Sequence, residues 1–320
     1  MVTFISRRIL LSIPVLLLAS VVVFFGVSSV GDPLGELRRR PNVSQDTIQL
    51  IIDSKQLDEP LTVQYVTWLR EAATNKFGTT LYDRPIWPDL TRALGHTLQL
   101  VIIAEIFALL IGVTIGVISA KRQYTLFDYA STTFSFLGYS IPIFWFALIL
   151  QIIFVNIYTA TDVRIFFVGG LSSVNPANPF LDRLQHLALP VMALGYVNLA
   201  LYSRYMRSSM LEVINSDYVR TARAKGVSER RVTRKHAVRN ALIPIVTLAA
   251  LNFGTLFGGA IVTETIFALD GMGFFFIRNL NARDAYAVMA FLMVTAVFVV
   301  IGNAIADILY GYLDPRIRYD

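Results

Sequence analysis

Cysteine is absent, so the chain can form neither disulfides nor thiolate metal sites. Histidine is scarce: His96, His186 and His236 lie far apart in sequence and make no spaced ligand set. The phosphate-cradling Gly-x-x-x-x-Gly-Lys-Ser/Thr loop, the zinc-binding His-Glu-x-x-His pattern and the Gly-x-Ser-x-Gly nucleophile elbow are all missing. No resident metal, cofactor or catalytic residue is therefore expected. Charge is also in short supply. Only 16% of the residues are charged while 55% are hydrophobic, and the mean hydropathy is +0.58. That balance lies well above a soluble globular domain.

What is present instead is a series of long apolar windows, each near the roughly 20 residues that cross a bilayer as a helix. Ile9–Val30 follows Ser6-Arg7-Arg8 and is longer than the about 7–15 residues of a signal-peptide core, so it reads as a retained first span. Pro14 is expected to bend it, and Arg7 and Arg8 place the N-terminus in the cytoplasm. Gly31 to Leu94 is polar and broken by Pro33, Pro41, Pro60, Pro85 and Pro88. Its middle keeps helical spacing through Ile48, Ile51, Ile52, Val63, Tyr65, Val66 and Leu69, which predicts an extracytoplasmic insertion of short helices. Arg38, Arg39 and Arg40 do not oppose that placement, because long loops cross largely regardless of charge.

Further spans are predicted at 94–120, 127–158, 186–210, 242–267 and 285–312. The expected class is all-α: a polytopic membrane protein with six transmembrane helices and both termini in the cytoplasm. Three segments follow: 1–30 with the first span, the insertion 31–94, and a core of five spans over 95–320. Gly112 and Gly116 form a small-residue helix contact motif that would also serve a dimer. Gly254, Gly258 and Gly259 permit close approach in the fifth span. Glu105, Glu264 and Asp307 are acids read as lying within or near the spans, and Arg204 and Arg207 stand near the cytoplasmic end of the fourth. Glu105 either lines a water-filled path or hydrogen-bonds a neighbouring helix. Tyr139, Ser140, Phe144 and Trp145 flank Pro142, which interrupts the third span; they line a pathway or pack as aromatics.

The chain is organised around residues 217–244, DYVRTARAKGVSERRVTRKHAVRNALIP. Eight Arg and Lys residues stand against Asp217 and Glu229 there, a balance of +6. Ser216 or Asp217 can cap a short helix ending near Lys225, Gly226 is a left-handed stop, and Ser228 can cap a second helix running to Pro244. Helix, glycine break, helix, held between two spans: that shape suits docking of a partner protein. Individual arginines equally suit anionic lipid. With membrane spans on both sides, no nucleic-acid partner is expected.

Residues Tyr205–Pro244, with SSMLEV at 208–213 and DYVRTARAKG at 217–226, resemble the permease subunits of bacterial ABC importers. Within them the chain is most similar to the B-type permeases of the oligopeptide, dipeptide and nickel group. The resemblance continues through Gly31-Asp-Pro33, Leu57-Asp-Glu-Pro-Leu61, Val63-Gln-Tyr65, Trp68, Ser140-Ile-Pro142 and Phe144-Trp145. Thr263-Glu264-Thr265, Phe267, Gly271, Gly273, Arg283-Asp284 and Asp314-Pro-Arg-Ile-Arg318 complete it in order. It implies a type I importer permease fold in the bacterial inner membrane that imports peptides, most like an oligopeptide permease, together with a second permease, two ATPase subunits that bind ATP and Mg, and an extracytoplasmic binding protein.

The resemblance also implies that 211–244 is the coupling region and that Tyr218, Arg220, Thr221, Ala222, Arg223, Lys225 and Gly226 meet the ATPase. The glutamate of the Glu-Ala-Ala form of this motif is replaced here by Arg220. Ala222 is expected to allow close approach to the ATPase groove. Two other classes remain open from the residues alone: a gradient-driven transporter that works without ATPases, and a membrane-anchored assembly or sensory protein. Nickel or another small solute is the alternative cargo.

Overall fold

The computed structural model describes residues 2–31, 33–35, 38 and 43–313, with the side chains of 2–6, 9, 253–259 and 306–313 outside the description. Gly254, Gly258, Gly259, Asp307, Arg39, Arg40 and the motif at 314–318 therefore lie outside what can be compared with expectation. Among the described residues every named element is a helix. Five helices are long and apolar enough to cross a membrane, over Leu10–Ser28, Ile86–Lys121, Ile143–Thr161, Pro179–Ile214 and Ala285–Ile305. The predicted fifth span is helix α11, Ile243–Ile266, whose described apolar stretch is the shorter Ile243–Asn252.

Two compact units emerge, one from Met1–Thr97 with Asp270–Ile301, the other from Leu98–Leu269 with the residues from Gly302. In the first, α1 (Val2–Ser28) runs unbroken through Pro14. The insertion supplies α2 (Gln45–Lys55), capped by Ser44 accepting from Thr47 N, and α3 (Leu61–Thr74). Phe24 of α1 packs edge-on to Tyr65 and beside Trp68 of α3, and Ser20 shares a 2.9 Å hydrogen bond with the Tyr65 hydroxyl. Helix α4 (Ile86–Lys121) starts eight residues before the predicted span, because Pro88 sits in its first turn, where no backbone N–H is required. The predicted loop after α11 holds another helix, α12 (Met272–Asn281), and the last span is α13 (Ala285–Leu313).

Asp284 caps α13 by accepting from Ala287 N, and its second oxygen accepts Leu81 N across the unit. Lys55 Nζ donates to Thr79 O and Oγ1, each at 2.8 Å, and lies 4.7 Å from the centre of the Tyr286 ring. A salt bridge from Arg92 to Asp270 and a bond between Thr97 Oγ1 and Met272 N tie the start of α4 to the 270–272 turn.

The second unit is built around α7 (Pro179–Ile214), which buries most of its apolar length. Helix α4 meets it through glycines. A Cβ on Gly112 would lie 2.8 Å from Leu199 O, and one on Gly116 only 2.6 Å from Met206 Cβ and Ser203 O. The Gly112-Gly116 motif is thus used within the chain, as a backbone-close helix crossing. Gly195 of α7 approaches Ala104 O in the same way, at 2.9 Å for a built Cβ.

The predicted third span is in fact two helices, α5 (Leu126–Ser140) and α6 (Ile143–Thr161). Ile141 and Pro142 are extended between them, since the residue before a proline is pushed out of helical geometry. Only α6 has spanning length.

Candidate functional site

The basic stretch opens with α8 (Asp217–Ala224), whose apolar Val219 and Ala222, three residues apart, share one buried face. Val219 is 0% exposed and Ala222 8%, and both pack with Val232, flanked by Val213 and Val227. Tyr218, Arg220, Thr221, Arg223, Lys225 and Gly226 are exposed on the other side. Ser216 stands at the N-cap, but its hydroxyl donates to Val213 O instead of capping the helix.

The helix ends in a Schellman closure. Val227 N donates to Ala222 O at 3.2 Å and Gly226 N to Arg223 O at 2.9 Å, with Gly226 at φ +75°. Val227 packs against the Val219, Ala222 and Val232 cluster, the apolar contact that accompanies such a closure. Ala222 is thereby corrected: its small side chain serves the elbow's own core and does not face outward. Gly226 has open space where a Cβ would stand, so its requirement comes from φ alone.

Arg223 spans the break. Its guanidinium donates to both oxygens of Glu229, at 3.1 and 2.9 Å, and to Ile214 O. This bond, with a smaller contribution from the charge of Lys121, holds the Glu229 carboxyl below its ordinary range. The pair is therefore intact at neutral pH and weakens only as acid protonates Glu229. Both groups are well exposed, so its value lies in geometry more than in energy. Arg220 donates to Asn215 O, and Thr221 Oγ1 to Asp217 O.

The second helix of the stretch departs from expectation. After Gly226 the chain makes one turn, α9 (Glu229–Arg231), then a π-helical segment, Val232–Val238, then a further turn, α10 (Arg239–Ala241), before α11. Ser228 stands at the N-cap without a side-chain bond. Val232, Thr233 and Ala237 are buried, and Ala237 and Ala241 join Met206 and Met210 of α7 in one core. The wider π geometry lets these small and branched residues face inward while Arg230, Arg231, Arg234, Lys235 and Arg239 stay exposed. Asn240 donates to the Tyr218 hydroxyl at 3.2 Å, fastening the π-helical arm to α8.

The candidate pathway residues are held in different ways. Glu105 is buried, accepting from the Tyr202 hydroxyl at 2.6 Å and from Asn198 at 3.3 Å, so it bonds α4 to α7. Glu264 is buried near the end of α11. Tyr139, Phe144 and Trp145 are exposed by 65, 51 and 50%, and the Ser140 hydroxyl folds back on Phe136 O. Tyr139, Ser140, Phe144 and Trp145 flank the α5–α6 break, while Glu105 lies on α4 and Glu264 on α11. Sequence reading missed Asp128, a buried acid paired with Arg207 of α7. Its only local mark was an acidic residue in the first turn of a helix, which is commonplace.

Residues 112–319 match the family described as binding-protein-dependent transport system inner membrane component, and residues 1–88 match its N-terminal companion. The chain is 40% identical over 322 residues to the oligopeptide transport system permease protein AppB of Bacillus subtilis, covering 100% of both. It is 37% identical over 348 residues to the dipeptide permease protein DppB of Alkalihalophilus pseudofirmus, again over 100% of each chain. Against OppB of Mycobacterium tuberculosis the identity is 36% over 326 residues, with 99% of both covered. A solved inward-facing structure of the MetNI methionine ABC transporter shares the fold. It has TM-score 0.56 and 18% identity, and the match covers 72% of this chain and 99% of that one.

Proposed function

The chain belongs to the family of binding-protein-dependent transport system inner membrane components, and from that premise we propose that it forms half of a peptide-import pathway. Oligopeptides are the proposed cargo. A second, related permease completes the path, two ATPase subunits bind ATP and Mg and drive it, and an extracytoplasmic binding protein delivers the peptide. The end-to-end match to peptide permeases carries this reading.

The elbow at 217–244 is the point where the ATPases act. Tyr218, Arg220, Thr221, Lys225 and Gly226 present the contact surface, Arg223 sets its shape, and Ala222 supports it from inside. Both termini and the elbow lie in the cytoplasm, and the 31–94 insertion faces outward to receive the binding protein. The short basic loop Lys121-Arg122 and the elbow on one side agree with positive-inside placement. ATP is hydrolysed in the partners; this chain contributes the path and the lever.

Reconstitution tests the reading. Vesicles holding this chain, its partner permease and the ATPases should take up a labelled peptide only with binding protein and ATP present. Uptake by this chain alone, driven by an ion gradient without ATP, would overturn it.

A further inference from the structure

Three cytoplasmic-side elements of the second unit meet at a single carboxylate. Asp128, in the first turn of α5, is 2% exposed. Its Oδ1 accepts from Arg207 Nε at 2.6 Å and its Oδ2 from Arg207 Nη2 at 2.8 Å, a two-pronged ion pair between α5 and α7. Ser119, near the end of α4, donates its hydroxyl to the same carboxylate, and the backbone N–H of Tyr124 in the α4–α5 turn donates at 3.0 Å. Ser131 then donates to Ser119 Oγ at 3.0 Å. Every element at this corner is thus tied to one acid.

The corner adjoins the elbow. Arg207 lies on α7 ten residues before Asp217, and Met206 and Met210 beside it form a core with Ala120 of α4 and Ala237 and Ala241 of the basic arm. Lys121, the last residue of α4, is close enough to Glu229 for its charge to act there. A buried bidentate pair has one geometry, unlike an exposed Lys contact that can re-form in many. Rotation of α7 therefore cannot leave α4 and α5 behind without breaking it, and breaking it strands a buried charge.

We propose that Asp128 and Arg207 are positioning residues for coupling: they lock the α4–α5 corner to the root of the elbow. A push on α8 then moves α4, α5 and α7 as one piece. Without the lock, α7 yields to the push while α4 and α5 lag, and ATP is spent without moving peptide. The inference rests on the proposed ATP-driven import, and the experiment separates the two.

The test uses the full transporter in vesicles with binding protein, reading ATP hydrolysed per labelled peptide imported. R207K keeps the charge but loses the fork, D128N keeps the shape but loses the charge, and S119A removes one donor only. Copurification of the ATPases reports assembly. The expected result is assembled complexes whose ATPase rate stays within about twofold of wild type while ATP per peptide rises at least about fivefold for R207K and D128N. S119A, the mildest change, is expected to raise it about twofold. The R207K/D128N double variant should be no worse than the worse single one, as for residues acting as one unit. A wild-type ratio in the assembled variants overturns the proposal. So does a fall of uptake and hydrolysis in step, which marks a merely structural role; if R207K and D128N fail to assemble, an unchanged ratio in S119A does the same. Absence of ATP-dependent uptake in the wild-type transporter would instead refute the import reading itself.

Discussion

At the scale of single residues, Gly226 is where backbone geometry decides most. It sits at φ +75° with nothing within 4 Å of a built Cβ, so the cost of a side chain is conformational and not steric. Gly226→Ala should destabilise the elbow by about 1–2 kcal/mol, and Gly226→Asn by less, since Asn tolerates left-handed geometry. Peptide uptake by the assembled transporter should follow the order Gly, Asn, Ala, and equal uptake by all three would show that the turn is not required. This position was legible in the sequence because the left-handed region selects so strongly for glycine. Ala222 was misread for the opposite reason. A small residue on a basic helix looks outward-facing until Val227 and Val232 are known to fold back over it. Glu105 left two readings open, since its partners Asn198 and Tyr202 lie far along the chain on α7.

Among elements, the α4–α7 crossing and the insertion give contrasting expectations. Gly116→Val would drive a branched side chain into Met206 and Ser203, and overpacking of this kind costs about 1–3 kcal/mol. Gly95→Ala, in the same helix but with open space around it, should be neutral or mildly stabilising. Thermal melting in detergent separates them: the first should melt lower than wild type, the second should not, and equal melting would deny the close crossing.

In the insertion, Lys55 is pushed below its ordinary value chiefly by burial, with Glu71, Asp284 and Asp83 pulling the other way. A lysine lowered on folding binds fewer protons than when unfolded, so its contribution to stability improves as pH rises towards 10.5. Wild type should therefore gain stability relative to Lys55→Met over that rise, and a pH-independent difference would contradict the buried charge. The helices of this region were visible from apolar spacing. The interruption of the third span at Pro142 was visible too, but not that α6 alone keeps spanning length, nor the π-helical arm, because hydropathy measures length and not the local ring size of hydrogen bonds.

For the whole molecule, the elbow is the proposed point at which an ATPase partner takes hold. Hydropathy and charge made the spans and the basic stretch readable. They could not place one against another, because pairings such as Asp128 with Arg207 join residues 79 apart. The absence of cysteine allows a clean test. Thr221→Cys, on the exposed face of α8, should cross-link to an ATPase subunit in the assembled transporter, with a yield that changes when ATP is added. Leu50→Cys, exposed on α2 of the insertion, should give no such product. An assembled, transporting complex in which Thr221→Cys never reaches an ATPase would contradict the account.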